Sequence, residues 1–566
     1  MTLFQKIRSF AENRPGTFWF FSFTVLCSLA LIGLEAVKLD VRFMYIVEDI
    51  SEYGIRATAT INGNPYPDYP STWIVFAWLT SLCGHFLNRW TMCLPSILSG
   101  ALTAVLICRT GEKVQKGLGH IAVLIAISSF EFMSVFLGFG LDAPVCACGA
   151  AMLYLLLDEK NHIFRTHLLF ALLLIIGFSI RGPIGAILIG TGTAAWLLAE
   201  RRWIGLVSYG AVGAVSFSAC IGAIYLILHW QGGEDLWNLC REWQVGNRMD
   251  TRGIDYTFYL LQSYTMYCPA SLPLLFTLLF GRRRLFSRPV FGWIAYLLAI
   301  ELLLTIPGCQ HLRYMTLGVP AMALIGAWGL LNIRFPLSHK VLSVMTLTAS
   351  VIVRIACFVL IFACLITAVV YYVLGFGVCY VMLIGAFLAI LLTCMVWKLV
   401  PLKLWYSFAS FAVGGCLATL FLANAIISTN EQTSPSVRVV EDLVGNGSVY
   451  FYHIDADHDG IKYLIFIDRD RVKKVFFVDP DCSDLTRNMY QVIYHLPSDL
   501  SDAYVIVRDG ENGSSLPGDP DWKNPEDYDA LMNEVHDSGL SLRGEIVRKI
   551  RLGHKSYDLV HLSPEK

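Results

Sequence analysis

The residues Leu39-Asp40-Val41-Arg42-Phe43-Met44-Tyr45-Ile46-Val47-Glu48-Asp49-Ile50-Ser51-Glu52-Tyr53-Gly54 follow directly on an apolar run at about 17–38. That run is long enough to cross the roughly 30 Å of hydrocarbon in a bilayer. Lys6, Arg8 and Arg14 precede it. Its length and the lack of a small-residue cleavage site make it an uncleaved first helix and not a signal peptide. Asp40 then stands at a membrane–water boundary. Arg42, Tyr45, Glu48, Asp49 and Glu52 follow at helical intervals, the pattern of an amphipathic helix lying on the outer surface. Next comes Ile61-Asn62-Gly63-Asn64-Pro65-Tyr66-Pro67-Asp68-Tyr69-Pro70-Ser71-Thr72-Trp73. Asn-Gly and three Pro make it stiff and turned, and it sets a second carboxylate, Asp68, between two Tyr.

Further apolar runs lie at about 93–108, 118–139, 142–157, 166–180, 183–199, 204–229, 258–280, 289–307, 314–332, 352–373, 376–397 and 404–428. With the first they predict about 13 transmembrane helices, an all-α polytopic membrane domain over 1–429. Composition agrees: of 566 residues 55% are hydrophobic and 15% charged, and mean hydropathy is +0.57. An average soluble domain is about 25% charged, so a single soluble globule and a disordered chain are both excluded. The net charge of −1 conceals an asymmetry. Residues 1–429 carry 28 Lys and Arg against 19 Asp and Glu, whereas 430–566 carry 15 against 25. Nothing in this distribution points to nucleic acid. Most of the 16 Cys sit inside apolar runs, where they act as small hydrophobes, and Cys482 alone in the tail excludes a disulfide within it.

With the N-terminus in the cytoplasm, the inner loops hold Arg109, Lys113, Lys116, Lys160, Arg165, Arg201, Arg202, Arg282–Arg284, Arg288, Arg334, Lys340, Lys398 and Lys403. That is a consistent positive-inside pattern. An odd helix count then puts 430–566 outside, together with two long segments, about 39–92 and 230–257. The tail alternates strand-like stretches (Ser448–Ile454, Val475–Val478, Tyr504–Arg508, Tyr557–His561) with a helical one (Asn524–Ser538), and reads as a soluble extracytoplasmic α/β domain.

The order of these features resembles the GT-C membrane glycosyltransferases. The nearest resemblance is to the aminoarabinose transferase and protein O-mannosyltransferase group, which use polyprenyl-phosphate sugars. Asp40 matches the first acid of that group's Asp-Glu pair, Asn62-Gly63-Asn64-Pro65-Tyr66 its turn, and Leu94-Pro95-Ser96 its helix opening. Leu141-Asp142-Ala143-Pro144 looks like its second outer Asp, Arg181-Gly182-Pro183 its Lys-Gly-Pro step, and Gln310-His311-Leu312-Arg313-Tyr314 its Lys/Arg-x-x-Arg-Tyr segment. The chain departs from the group at Val41, in place of the second acid, at Cys93, in place of an Arg, and at Asp68-Tyr69-Pro70-Ser71, where the group has Glu-Lys-Pro-Pro.

The resemblance implies transfer of a sugar from a polyprenyl-phosphate donor to a lipid, glycan or protein acceptor at the outer face of a bacterial cytoplasmic membrane. The implied class is a hexosyl- or pentosyltransferase, inverting by one displacement. Asp40 is the candidate base, since a carboxylate near apolar surroundings is tuned toward proton transfer; as a plain alternative it caps the helix that follows. Asp142 and Asp68 are candidates to orient the acceptor or to hold a divalent cation through oxygen ligands, with a helix cap as the alternative for Asp142. Arg313 and Arg181 are the candidates for the leaving phosphate, assisted by Tyr69 and His311. Tyr66, Trp243, Arg248 and Tyr256 are candidate acceptor or sugar contacts; interfacial anchoring is the alternative for the aromatic residues. Two other functions are alternatives: a polytopic transporter, which thirteen helices would suit, and an inactive relative that binds polyprenyl phosphate, which the departures from the group at Val41 and Tyr69 suggest. Asp455-Ala456-Asp457-His458-Asp459-Gly460 matches half of a calcium loop, but Phe466 stands at the twelfth position, so an acidic surface loop is expected.

Overall fold

The computed structural model of the chain describes residues 3–31, 38–157, 163–246, 255–307, 310–333, 361–370, 433–472, 474–509, 527–553 and 555–565, with isolated positions between 348 and 390. The expected spans at 352–373 and 376–397 are described only in part, and the span at 404–428 and the candidate Arg248 lie outside the described residues. The chain divides into two compact units. One comprises Met1–Gly33, Pro67–Thr80 and Cys93–Ala425; the other comprises Leu34–Tyr66, Ser81–Met92 and Ile426–Lys566.

The first unit is helical. Its helices are α1 (Leu3–Asn13) and α2 (Pro15–Ala30), then, after α3 (Lys38–Tyr53) of the second unit, α4 (Thr72–Thr80), α5 (Arg89–Val114), α6 (Leu118–Ile127), α7 (Phe130–Phe136), α8 (Asp142–Leu156), α9 (Ile163–Arg181), α10 (Pro183–Ala199) and α11 (Trp203–Arg241). After a wide-turned segment at Glu242–Gly246 come α12 (Ser263–Met266), α13 (Ser271–Gly281), α14 (Val290–Leu304), a tight turn at Leu312–Gly318, and α15 (Val319–Asn332); α16 is Ile361–Val370. Each of the ten apolar runs read between 17 and 332 contains helix among its described residues. Among the described residues, four helices are long and apolar enough to cross a membrane, or six if each of two bent pairs is one span. The chain is therefore a multi-pass membrane protein.

The bends were not expected. The run at 118–139 turns by 83° between α6 and α7, where the Ser128 hydroxyl donates to the Ile125 carbonyl and the Ser129 hydroxyl caps α7 through the Phe132 amide. The run at 258–280 turns by 120° before α13, where Pro269 lacks the amide hydrogen that would continue a helix. α11 is also kinked, at Gly232 and Gly233.

Close packing between α5 and α6 depends on glycine. A Cβ on Gly119 would lie 2.0 Å from the Cys108 carbonyl oxygen, a backbone atom that cannot step aside. The hairpin is closed by Glu112, whose carboxylate accepts from the amides of Gly117 and Gly119 at the free start of α6.

The second unit carries a two-stranded ribbon, β1 (Thr58–Ile61) and β2 (Asn64–Pro70, its last residues belonging to the first unit), and a six-stranded sheet of order β5-β4-β3-β6-β8-β7. The strands are β3 (Ser448–Tyr452), β4 (Lys474–Val478), β5 (Val492–Ile493), β6 (Ala503–Arg508), β7 (Leu542–Leu552) and β8 (Lys555–Pro564); the helices are α17 (Thr433–Val444), α18 (Ile461–Phe466), α19 (Asp484–Tyr490) and α20 (Asp527–Asp537). β3–β6 run parallel, and β8 pairs antiparallel with both β6 and β7. One face packs Tyr450, Val505, Val560 and Leu562 against Leu531 and Val535 of α20. On the other, Phe451 stacks on Phe477 and meets Tyr463 of α18 edge-on. The calcium-like stretch is not an open surface loop: Asp459 is buried and its carboxylate meets Lys555 at 3.1 Å.

Gly119→Ala should lower the thermal midpoint of the detergent-purified protein by an amount corresponding to about 1–3 kcal/mol of overpacking. Gly210→Ala, inside α11 with nothing within 4 Å of the added Cβ, should leave the midpoint unchanged or raise it slightly.

Candidate active site

Three chain segments bring charge together within the first unit. Asp142 opens α8, Arg181 ends α9, and Arg313 and Tyr314 lie in the turn before α15. Arg-Gly-Pro ends α9 sharply: Gly182 takes φ +69° and Pro183 begins α10, a combination that suits glycine before proline. Arg181 is thereby left at a helix end. Its guanidinium ion-pairs with the Oδ1 side of Asp142, and Arg313 Nε lies 3.5 Å from Asp142 Oδ2. Asp142 and Arg181 are 6% and 8% exposed. Tyr314 is the platform between the cations: its ring centroid lies 4.1 Å from Arg181 Cζ and 5.6 Å from Arg313 Cζ. Asp142 stands in the first turn of α8, and its carboxylate faces guanidinium. A second carboxylate, Glu131 of α7, interacts electrostatically with Arg313, so the two cations face two acids. Arg313, one-third exposed, is the open side of the cluster.

The neighbouring loops are tied to this cluster by hydrogen bonds. The His311 amide donates to the Tyr259 hydroxyl (3.2 Å), which in turn donates to the His311 carbonyl (3.1 Å). The His311 ring is exposed and stands edge-on to Tyr314, with centroids 5.2 Å apart. Gln310 and Asp255 exchange two hydrogen bonds, at 3.2 and 3.1 Å. Gln244, beside Trp243, donates to the Pro67 carbonyl at 3.0 Å, one residue before Asp68 and two before Tyr69. Trp243, Asp68 and Tyr69 are half-buried, and Tyr256 is 71% exposed.

Asp40 lies in the first turn of α3, in the second unit. In the same unit Arg42 donates to the hydroxyl of the buried Tyr66 (3.1 Å). Most of α3 is buried, including Val41, Phe43, Ile46, Val47 and Asp49, so it is not the half-solvated surface helix that its charges suggest. Burial pushes Asp49 above the ordinary carboxylate range, against the opposing hydrogen bond from the Gly63 amide (3.0 Å).

Among the described residues one trio has metal-ligand chemistry: Cys108, Glu112 and His120. The Trp19 indole donates to His120 Nδ1 at 2.9 Å. The neutral ring then carries its hydrogen on Nε2, and neither nitrogen offers a free lone pair. The trio is a hydrogen-bonded hairpin cluster and does not fit a metal. Asp142, already facing two guanidiniums, does not fit a cation either.

Over almost its full length the chain is similar in structure to ArnT from Cupriavidus metallidurans bound to undecaprenyl phosphate: TM-score 0.69, 14% identity, 96% of this chain and 97% of that one. The fold is that of ArnT. The ArnT structure in the apo state gives TM-score 0.68 at 13% identity, over 96% of this chain and 98% of that one. Residues 69–225 match the family described as dolichyl-phosphate-mannose-protein mannosyltransferase, a stretch of the ArnT-like fold that holds Asp142 and Arg181. No curated protein matches. The sequence resemblance to the GT-C membrane glycosyltransferases is thus matched by an ArnT-like fold. Sequence reading missed Tyr314 as a platform, and Tyr259, Gln244 and Gln310 as loop ties. Tyr314 follows Arg313 directly, but nothing local signals the other three.

Arg181→Gln should cost about 3–5 kcal/mol, the usual penalty for stripping one partner from a buried pair, and adding Asp142→Asn should restore much of it; a double-mutant cycle of thermal midpoints measures the coupling. Because its raised pKa makes Asp49 take up a proton on folding, its contribution favours the fold below the ordinary carboxylate pKa and is lost as pH rises through the raised value. Asp49→Asn should therefore flatten the midpoint-against-pH curve between weakly acidic and neutral pH.

Proposed function

We propose that the chain is a membrane glycosyltransferase. It moves a sugar from a polyprenyl-phosphate donor to a lipid, glycan or protein acceptor at the outer face of a bacterial cytoplasmic membrane. The observation that carries this reading is the chain-long similarity in fold to ArnT, one of whose structures holds undecaprenyl phosphate. The buried Arg181–Asp142–Arg313 cluster supports it. In this reading residues 1–429 form the catalytic domain, about 13 helices cross the membrane with the N-terminus inside, and 430–566 form the outer α/β domain.

The reaction is a single displacement with inversion, on a hexosyl or pentosyl donor. Asp40 takes the proton of the acceptor hydroxyl or amine as the acceptor atom bonds to the anomeric carbon. The bond from that carbon to the phosphate oxygen breaks, and the electron pair leaves with the polyprenyl phosphate. Arg313, with its open side, and Arg181, held by Asp142 and Tyr314, meet the charge that develops on that phosphate. Tyr69 and His311 donate to it. Asp142 fixes the two guanidiniums, and Asp68 orients the acceptor. Tyr66, Trp243, Arg248 and Tyr256 contact the acceptor or the sugar. No step is routed through a cation.

The test is a transfer assay in membranes with a panel of labelled polyprenyl-phosphate sugars. Asp40→Asn should lower kcat by about 100-fold or more. Arg313→Gln should raise the donor KM and lower kcat/KM. Equal transfer by Asp40→Asn and wild type removes Asp40 as base. No transfer from any donor by folded wild-type protein overturns the reading.

A further inference from the structure

We propose that Arg469 is a positioning residue: by gripping one face of α3 it sets the placement of Asp40 and Arg42 at the start of that helix. The inference rests on the reading of Asp40 as the base.

Tyr45, Glu48 and Glu52 stand at i, i+3 and i+7, along one face of α3. Arg469, in the turn between α18 and β4, reaches all three. Its Nη1 lies 2.9 Å from Glu52 Oε2 and its Nη2 lies 3.4 Å from Glu48 Oε2. Its Cζ lies 4.8 Å from the Tyr45 ring centroid. Two acids four residues apart on a helix repel each other. A planar guanidinium spans both and cancels that repulsion, which a lysine ammonium, a single point of charge, does not do equally well. Burial opposes the charge on Arg469, but Tyr45, Glu48, Asp49 and Glu52 together raise its pKa, so it stays cationic.

The turn that carries Arg469 is itself anchored. The Asp468 amide donates to Glu441 of α17 and Arg471 pairs with Asp442 (2.7 Å). The same part of the chain also grips the segment after α3. The Asn62 side chain donates to the Met489 carbonyl (2.8 Å) and the Asn64 side chain to the Asn488 carbonyl (2.7 Å). The Tyr45 hydroxyl in turn donates to the Asn62 side chain, and the Gly63 amide to Asp49. α3, the β1–β2 turn and residues 468–489 therefore close a ring of contacts. Lys38–Tyr53 is one continuous helix, and Asp40 lies roughly 7, 12 and 18 Å along its axis from the three gripped positions at about 1.5 Å per residue. A helix held at three points on one face cannot turn about its axis, so its first turn is aimed by contacts made at its far end.

The experiment compares full-length wild type, Arg469→Ala, Arg469→Lys and the pair Glu48→Gln, Glu52→Gln by amide hydrogen exchange and by transfer kinetics. In Arg469→Ala, exchange within 38–53 should quicken tenfold or more while 448–452 and 503–508 keep wild-type protection. Its kcat should fall at least tenfold, with donor KM within twofold of wild type. Arg469→Lys should fall between. The Glu pair should loosen α3 to the same extent, and adding Arg469→Ala to it should add nothing. Unchanged exchange in α3 overturns the clamp, and faster exchange with wild-type kcat overturns the positioning role. If Arg469→Ala loses sheet protection, the Lys and Gln variants decide by the same criteria. Wild-type protein that transfers from no donor overturns the assigned reaction instead, and the exchange data still decide whether Arg469 sets α3.

Discussion

A carboxylate removed from water has to be matched by positive charge, and around Asp142 that requirement organises the candidate site. Two guanidiniums from separate parts of the chain converge on one oxygen pair, so the end of α9, the start of α8 and the turn before α15 cannot be moved independently. Arg313 also interacts with Glu131 of α7, so the two guanidiniums are matched by two carboxylates. Arg313, the more exposed of the two cations, is held in place by protein contacts, the condition under which a positive group acts strongly on charge that develops during a reaction. Tyr314 contributes without carrying charge, by presenting an aromatic surface to both Arg side chains.

The second unit meets the same constraint with different residues. Glu48, Asp49 and Glu52 crowd one helix, and Arg469 is the cation among them. Carboxylates concentrated on α3 would repel if left alone. Instead they become the means by which a part of the chain more than 400 positions away holds the helix. In both units an arginine ties together segments far apart in the sequence, and on α3 it does so beside a buried apolar face.

The helices were legible wherever apolar length alone defines them, and so were the segments that carry Asp142, Arg181 and Arg313, since each is a polar interruption at the end of an apolar run. The breaks within 118–139 and 258–280 were not legible. Two serines or a Cys-Pro step inside a long apolar stretch barely change its hydropathy, although they redirect the backbone. The burial of α3 was hidden for another reason: its cover comes from β1 and from α18, more than 400 positions further along the chain, and no local periodicity reports a partner so distant. β7 escaped because its register slips between Ile546 and Arg548, which breaks the alternation by which a strand is recognised. Asp40, the centre of the sequence reading, and Asp142, the centre of the observed charge cluster, belong to different compact units.

The slipped register of β7 has a consequence for how copies of the chain meet. The outer strands of the six-stranded sheet are β5 and β7, and α17 lies against β7, where the Arg551 amide donates to the Ser436 hydroxyl. At one margin β5 is only two residues long. At the other, Arg543, Glu545 and Arg548 stand opposite Ser563, His561 and Leu559, while Lys549, paired with Asp509, and Arg551 stand opposite Asp558 and Ser556, on a strand already bent by its extra residue. An identical sheet approaching that margin would meet like charge and a mismatched ladder. Bulged and charged in this way, β7 is a poor template for a further strand.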